Sequence, residues 1–183
     1  MEKLPKISEM VNLSGKRALV TGGGKGIGAA ISKRLVEAGA EVTIADMDPE
    51  IQAIANELSA SFALCDITVP EQLKAAVQQA ADGSSLDILV NNAGVYPPTG
   101  PIAEVSDDFV TKMLDLNVRA QYSASREAVN YMSSGASIVN ISSIAALRGG
   151  ASITAYSTSK AAVIGLTKAF ANELGPKKIR VNA

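Results

Sequence analysis

The chain has 183 residues, of which 47% are hydrophobic, and a formal net charge of −1, values typical of one globular domain. Its charges are scattered without a basic block, so neither nucleic acid nor an anionic membrane surface is expected as a partner. Because the chain has no histidine and a single cysteine, it excludes a Ser-His-Asp triad and an internal disulfide, and it makes a metal site improbable.

Short apolar segments alternate with longer segments of helical period from Lys16 onward, which predicts parallel strands joined by helices. Gly39 and Gly175 are predicted helix caps, Ser106 is a predicted capped helix start, and Pro49 and Pro70 are predicted to open helices. The predicted strands are 17–21, 41–45, 61–65, 86–91, 137–142 and 179–181. The predicted helices are 26–38, 49–58, 70–81, 106–132 and 152–174. The pattern predicts an α/β fold with a doubly wound parallel sheet.

Residues 1–12 form a predicted N-terminal extension, and residues 13–183 form a single predicted domain. The extension is too polar for the core of a signal peptide, and no apolar run approaches the length of a membrane span. We therefore expect a cytoplasmic protein.

A glycine-rich segment, Thr21-Gly22-Gly23-Gly24-Lys25-Gly26-Ile27-Gly28, joins the first strand to the first helix. Such a turn points free backbone N–H groups and the positive end of the helix dipole at a bound anion, here a pyrophosphate. A nucleoside triphosphatase loop would need a Ser or Thr hydroxyl after its Gly-Lys, and none follows Lys25. An ordinary tight turn is the alternative interpretation.

Acidic residues end the second and third strands. Asp46 lies 18 positions after Gly28, close to the spacing of a carboxylate that binds the adenosine ribose. It would repel a 2′-phosphate and favours NAD over NADP, whereas Lys25 would favour NADP. Asp66 is a candidate for the adenine amino group. Their alternatives are a solvated loop charge for Asp46 and a turn-forming role for Asp66. Cys65 is predicted to pack as an apolar residue.

Tyr156 and Lys160 are four residues apart in a predicted helix, so they share one face. A free phenol has a pKa of about 10, too high for proton transfer near neutral pH. A neighbouring ammonium can make it acidic enough, because one cation at about 4 Å contributes about 4 kcal/mol at an effective dielectric of 20. The pair is therefore the most credible acid-base device in a chain without histidine.

Other polar residues are predicted to lie near this pair. Ser142 and Ser143 end the fifth strand, where a hydroxyl can bond a substrate oxygen, and Asn117 interrupts the apolar face of a helix. Residues 91–94, Asn-Asn-Ala-Gly, follow the fourth strand and suit a turn beside a cofactor.

Together these motifs resemble the short-chain dehydrogenase/reductase family. The resemblance depends on T-G-x-x-x-G-x-G at 21–28, N-N-A-G at 91–94, Asn117, Ser143 and Y-x-x-x-K at 156–160, and it extends from about Leu13 through nearly the whole chain. It implies a Rossmann fold and a nicotinamide cofactor. The cofactor-binding residues that it implies are Gly22, Gly26, Ile27, Gly28, Asp46, Asp66, Asn92, Ala93, Gly94, Tyr156 and Lys160.

The resemblance also implies four catalytic roles. Tyr156 would be the acid/base, and Ser143 would orient and polarise the substrate oxygen. Lys160 would hold the nicotinamide ribose and make the phenol more acidic. Asn117 would hold a water that links Lys160 to solvent. Homodimers or homotetramers are common in the family, so a homo-oligomer is expected.

The end of the chain departs from the family pattern. Members usually continue past the sixth strand with a loop at the nicotinamide, a substrate lid and a seventh strand, whereas this sequence stops at Ala183. We therefore expect the last strand and the lid to be missing, as in a truncated, proteolysed or incompletely determined chain.

The leading hypothesis is an NAD-dependent oxidoreductase acting on a secondary alcohol or ketone. Residues 95–98 with Ile144, Leu147 and Arg148 would give its pocket a mainly apolar wall. The alternatives are a protein that binds or senses the dinucleotide without chemistry, and an inert fragment. The substrate itself cannot be named from these residues.

Overall fold

The computed structural model describes residues 10–183, and six parallel strands form the single sheet of this part of the chain. The strands are β1 (Arg17–Thr21), β2 (Glu41–Asp46), β3 (Ser61–Leu64), β4 (Ile88–Asn91), β5 (Ser137–Asn140) and β6 (Arg180–Asn182). Their order across the sheet is β3-β2-β1-β4-β5-β6. The predicted doubly wound parallel sheet, a Rossmann fold, is confirmed.

Seven α-helices connect or flank the strands of the described region. They are α1 (Gly26–Glu37), α2 (Ile51–Leu58), α3 (Pro70–Ala81), α4 (Asp107–Leu114), α5 (Ala120–Ala128), α6 (Ala145–Arg148) and α7 (Thr154–Leu174). None of them is long and apolar enough to cross a membrane.

The sheet is covered on both faces, which explains its nearly continuous apolar strands. On one face, Ile51 and Ala55 of α2 pack against β1 and β2 together with partly buried residues of α1. On the other face, α3, α5 and α7 contribute buried residues such as Leu73 and Leu174. The central strand β1 is fully buried from Ala18 to Val20.

The sheet has a topological switch point beside its central strand. After β1 the chain winds outward through β2 to β3, then returns to the other side of β1 as β4. The loops after β1 and β4 therefore leave the sheet in opposite directions and open a crevice at its carboxyl edge, where ligands bind in folds of this type.

The sequence predicts one helix over residues 106–132, but the structure has two helices in this range. Ser106 caps α4 as predicted, its Oγ accepting a hydrogen bond from the Phe109 N–H at 3.2 Å. A π-helical turn, Asp115–Arg119, then separates α4 from α5, and α5 ends at Ala128. Periodicity alone does not reveal a π-turn, because the inserted residue shifts the helical face without a Gly or Pro signal.

Other boundaries differ by a few residues. Pro49 does not open α2, which begins at Ile51, whereas Pro70 is the first residue of α3 as predicted. Gly39 has φ +96°, the left-handed geometry expected at a helix end. Gly175 keeps helical geometry with φ −53°, and Lys178 instead takes the left-handed position at φ +58°. The short helix α6 was not predicted, and most of the predicted N-terminal extension lies outside the described residues.

Candidate active site

A cavity of about 580 Å³ lies at the carboxyl edge of the sheet, at the switch point. Its volume is within the range of about 300–1,000 Å³ that is common for small-molecule sites. Eleven residues predicted from the sequence line it: Gly22, Ile27, Gly28, Asp46, Asp66, Asn92, Ala93, Gly94, Ser143, Tyr156 and Lys160. Two predicted site residues, Gly26 and Asn117, are not part of its lining. Of the predicted apolar wall, only Val95 and Tyr96 line the cavity; the members that do not are Pro97, Pro98, Ile144, Leu147 and Arg148.

The glycine turn is closed tightly against the loop that follows β4. Gly22 has φ +62°, and a Cβ built on it would lie 2.8 Å from the Ala93 Cα. A Cβ on Gly28 would overlap the Gly22 carbonyl oxygen and lie 2.5 Å from Asn92 Nδ2. Only glycine fits at these positions, so the turn after β1 can pack directly against the loop after β4.

The loop after β4 is held by Thr21 and Asn92. Thr21 Oγ1 accepts hydrogen bonds from the N–H groups of Asn92 at 3.1 Å and Ala93 at 3.2 Å. Asn92 Nδ2 in turn donates to the Gly22 carbonyl at 2.8 Å. Sequence reasoning assigned no separate role to Thr21; its position at the carboxyl end of β1, opposite Asn91 in the β1–β4 register, was the available signal.

Asp46 is held at the end of β2 with only 8% of its surface exposed. Its Oδ2 accepts from the Gly24 N–H at 3.0 Å and its Oδ1 from the Asp48 N–H at 3.2 Å. The alternative of a solvated loop charge is therefore wrong for Asp46. Lys25 lies beside it but directs its Nζ to Asp48 Oδ2 at 3.4 Å.

Asp66 lines the cavity and also forms the turn expected from the alternative interpretation. Its Oδ1 accepts from the Thr68 N–H at 2.9 Å and from the Thr68 hydroxyl at 2.7 Å. The other carboxylate oxygen is not used by this turn. The structural role and a ligand-binding role are therefore compatible in the same residue.

Cys65 lines the same end of the cavity and is 2% exposed, as a packing role predicts. Burial, reinforced by the negative charge of Asp66, raises the pKa of the Cys65 thiol from 9.0 to about 11. At pH 8 the thiolate fraction is then about 100-fold lower than for an ordinary thiol, and only the thiolate reacts. We expect iodoacetamide at pH 8 to alkylate the folded protein about 100-fold more slowly than the same chain in urea, as followed by intact mass. Equal rates would contradict this assignment.

Tyr156 and Lys160 lie in the first two turns of α7, and both side chains reach the cavity. Lys160 Nζ is 5.8 Å from the centroid of the Tyr156 ring. The lysine is 4% exposed, and Nζ donates to the Ile141 carbonyl at 2.8 Å. Burial lowers the pKa of the Lys160 ammonium. The structure thus brings a phenol and a buried amine together at one site.

The two serines after β5 have different hydrogen-bond partners. Ser142 Oγ donates to the Lys160 carbonyl at 2.9 Å, so its hydroxyl proton is used within the protein. Ser143 Oγ accepts from the Ala145 N–H at 3.2 Å, a contact that leaves its own O–H able to donate into the cavity. This difference favours Ser143 over Ser142 as the group that meets a substrate oxygen.

Asn117 is fully buried behind the cavity, in the π-helical turn. Its Oδ1 accepts from the Val95 N–H at 3.0 Å, and its Nδ2 donates to the Val95 carbonyl at 3.1 Å and to Ser159 Oγ at 3.1 Å. A Cβ on Gly94 would lie 2.9 Å from Asn117 Oδ1 and 3.5 Å from Lys160 Nζ, so Gly94 separates these two groups. The amide that interrupts the apolar helix face therefore anchors the loop after β4. A water-relay role for Asn117 stays a prediction.

Comparison with known proteins agrees with this fold. A family model described as short chain dehydrogenase matches residues 16–183. The (+)-borneol dehydrogenase 2 of Salvia officinalis is 41% identical over 181 residues, which cover 94% of this chain and 64% of that protein. A 3-alpha-(or 20-beta)-hydroxysteroid dehydrogenase of Mycobacterium tuberculosis is 41% identical over 177 residues, covering 93% of this chain and 68% of that protein.

A solved structure of a short chain dehydrogenase has the same fold. The short chain dehydrogenase of Burkholderia cenocepacia, crystallised in complex with NADP, superposes with a TM-score of 0.89 at 40% identity. The match covers 93% of this chain and 73% of that one. The chain thus spans about two thirds to three quarters of the length of these three proteins. It belongs to the short-chain dehydrogenase/reductase family.

Proposed function

We propose that the chain carries the active site of an oxidoreductase that transfers a hydride between a nicotinamide dinucleotide and a secondary alcohol or ketone. One observation carries the proposal. Ser143, Tyr156 and Lys160 line the same cavity as the glycine turn, so one site could hold both the proposed proton-transfer group and the proposed dinucleotide-binding turn. Family membership supports the reaction class.

The residues at the adenosine end of the cavity fit a dinucleotide. Gly22 and Gly28 allow backbone N–H groups at the start of α1 to approach a pyrophosphate. Asp46, whose carboxylate is held by the Gly24 N–H, would bind the ribose hydroxyls, and Asp66 would meet the adenine amino group. When bound, the nicotinamide would accept or supply the hydride.

The residues at the other end of the cavity would transfer the proton to or from the substrate oxygen. In the oxidation direction, the Tyr156 phenolate would accept the proton of the substrate hydroxyl as the carbinol carbon loses its hydride. The O–H of Ser143 would donate to the same substrate oxygen and hold it beside Tyr156. The Lys160 ammonium would stabilise negative charge on the phenolate and bind the nicotinamide ribose. Asn117 would support both by fixing the loop beside Lys160.

Asp46 supports a preference for NAD. A fixed, buried carboxylate repels the 2′-phosphate of NADP, and Lys25 is already paired with Asp48. The Burkholderia cenocepacia relative was solved with NADP, so the family fold by itself does not decide the preference.

We expect Asp46→Asn to reduce the preference for NADH over NADPH by about tenfold, since about 1.4 kcal/mol of charge repulsion corresponds to that factor. Fluorescence titration of each cofactor measures both dissociation constants. Asp108→Asn is the matched control, and it should leave the NADH affinity within about twofold because Asp108 is exposed at the start of α4 and does not line the cavity. A parent protein that binds NADPH more tightly than NADH would contradict the assigned role of Asp46.

The proposal as a whole is tested by cofactor titration followed by assay of secondary alcohols with NAD⁺. Binding of NADH together with turnover of at least one alcohol supports it. Binding without turnover of any alcohol would instead support a dinucleotide-sensing protein. Failure to bind either cofactor would support an inert chain.

A further inference from the structure

Tyr96, in the loop after β4, packs against the ring of Tyr156. The two ring centroids are 4.6 Å apart and the rings meet at 69°, the edge-to-face arrangement that aromatic pairs favour. Both residues line the cavity. Tyr96 nevertheless keeps 58% of its surface exposed, so much of its ring remains free for another contact.

The segment that carries Tyr96 is anchored on both sides. On one side, the Asn117 amide bonds both the N–H and the carbonyl of Val95. On the other side, the N–H and the hydroxyl of Thr99 both donate to the Ser152 carbonyl, at 2.8 and 2.6 Å. Ser152 lies four residues before Tyr156 in the loop that leads into α7. The same hydrogen bonds that place Tyr96 therefore tie its loop to the start of the helix that carries Tyr156.

The backbone conformation of Ser152 also indicates that its contact with Thr99 is a defined feature of the fold. It has φ +59°, a left-handed conformation that a residue with a side chain rarely adopts. Its carbonyl accepts two hydrogen bonds from Thr99. A strained residue of this kind persists where the surrounding contacts hold it. The two hydrogen bonds from Thr99 to Ser152 thus hold the loop after β4 against the segment that leads into α7.

We propose that Tyr96 is both a positioning residue for Tyr156 and a specificity residue that selects substrates with an apolar ring or branched group on the carbinol carbon. The ring of Tyr96 limits rotation of the Tyr156 ring and so directs its hydroxyl into the cavity. Its free face gives the substrate an aromatic wall next to that hydroxyl. The substrate part of this inference rests on the proposed function, whereas the positioning part rests on the geometry alone.

The surroundings favour an apolar substituent over a charged or heavily hydroxylated one. Val95, beside Tyr96, also lines the cavity and is 43% exposed. Leu116 also lines the cavity, whereas Ile144 and Leu147, which follow Ser143 and are 60% and 73% exposed, do not. An aromatic face and aliphatic side chains gain free energy by covering apolar surface and offer a hydroxylated group few hydrogen bonds.

The positioning role is tested by NMR of protein with labelled tyrosine rings, which needs no turnover. The chain has four tyrosines, and Tyr156→Phe assigns the Tyr156 ring resonance. We expect Tyr96→Ala to move that resonance, because the ring current of Tyr96 is lost, and Tyr96→Phe to keep it close to its parent position. Ile102→Ala is the matched control: it truncates another exposed apolar residue of the same connection, 75% exposed and outside the cavity lining. An unchanged Tyr156 resonance in Tyr96→Ala would overturn the positioning role.

The specificity role is tested with cyclohexanol and 2-propanol as probes, titrated into the same labelled protein. We expect cyclohexanol to bind more tightly than 2-propanol. Tyr96→Ala should reduce the ratio of the two dissociation constants by about tenfold, as expected for one lost aromatic contact. Tyr96→Phe should preserve it. Equal affinities in the parent, or a difference that survives Tyr96→Ala, would overturn the specificity role.

Turnover of the same alcohols with NAD⁺ separates this inference from the proposed function. A lower kcat for Tyr96→Ala with both alcohols, restored by Tyr96→Phe, supports positioning of the acid/base. A parent that binds cyclohexanol through Tyr96 but oxidises no secondary alcohol of the assay would refute the proposed function and leave only the positioning role of Tyr96.

Discussion

Tyr156→Phe is expected to lower kcat by about 1,000-fold, which is within the range of rate factors that a positioned acid/base contributes. Phenylalanine keeps the ring that packs against Tyr96 but removes the hydroxyl that exchanges the proton. NADH affinity should stay within a few-fold of the parent, because the glycine turn and Asp46 are unchanged. Steady-state kinetics and NADH fluorescence titration on the same preparation measure the two effects separately.

Tyr122→Phe is the matched control for this change. Tyr122 is 49% exposed, pairs with Phe170 at 5.0 Å and does not line the cavity. Removing its hydroxyl should leave kcat within about twofold, as for other surface changes away from a site. If Tyr156→Phe retained more than a tenth of the parent kcat, Tyr156 would not be the acid/base.

Gly28→Ala should abolish useful cofactor binding and destabilise the fold. The added methyl group would overlap the Gly22 carbonyl and press on Asn92, so the turn and the loop after β4 must move apart. Overpacking of this kind costs about 1–3 kcal/mol or more in the free energy of unfolding. Moving the turn would withdraw its backbone N–H groups from the pyrophosphate, so we expect the NADH affinity to fall by about 100-fold, or about 2.8 kcal/mol. Urea unfolding followed by circular dichroism and NADH titration provide the two measurements.

Gly175→Ala provides the control for a glycine replacement without a clash. Gly175 has φ −53°, and a Cβ there would meet no atom within 4 Å in the described region. The change should raise the free energy of unfolding by about 0.4–1 kcal/mol, because alanine restricts the unfolded chain. An unchanged NADH affinity in Gly28→Ala would show that the turn after β1 is not the pyrophosphate site.

Much of the fold could be predicted because apolar runs and turn residues determine the ends of the strands and helices next to them. Residues 17–21 are bounded by Lys16 and the glycine turn, and the observed β1 has the same ends. Pro70 starts α3 because its fixed φ and missing N–H suit the first helical turn. The strand order β3-β2-β1-β4-β5-β6 was not predicted, because apolar runs do not show which strands pair.

Most of the predicted site residues line one cavity, but the contacts among them could not be predicted. Spacing placed Tyr156 and Lys160 on one face, yet the bond from Lys160 to Ile141 and the contact of Tyr96 with Tyr156 depend on tertiary packing. The π-turn at Asn117 was missed for the same reason. Its backbone geometry is associated with the bonds of the amide to Val95 and Ser159, which lie far away in sequence.

Deuterium transfer tests the central claim most directly. The alcohol that the parent oxidises fastest is prepared with deuterium at the carbinol carbon and incubated with NAD⁺ and enzyme, and the reduced cofactor is analysed by mass spectrometry. The account predicts NADH that carries the deuterium, formed by the parent and not by Tyr156→Phe above background. NADH without deuterium, or a bound cofactor with no oxidation of any secondary alcohol, would contradict it.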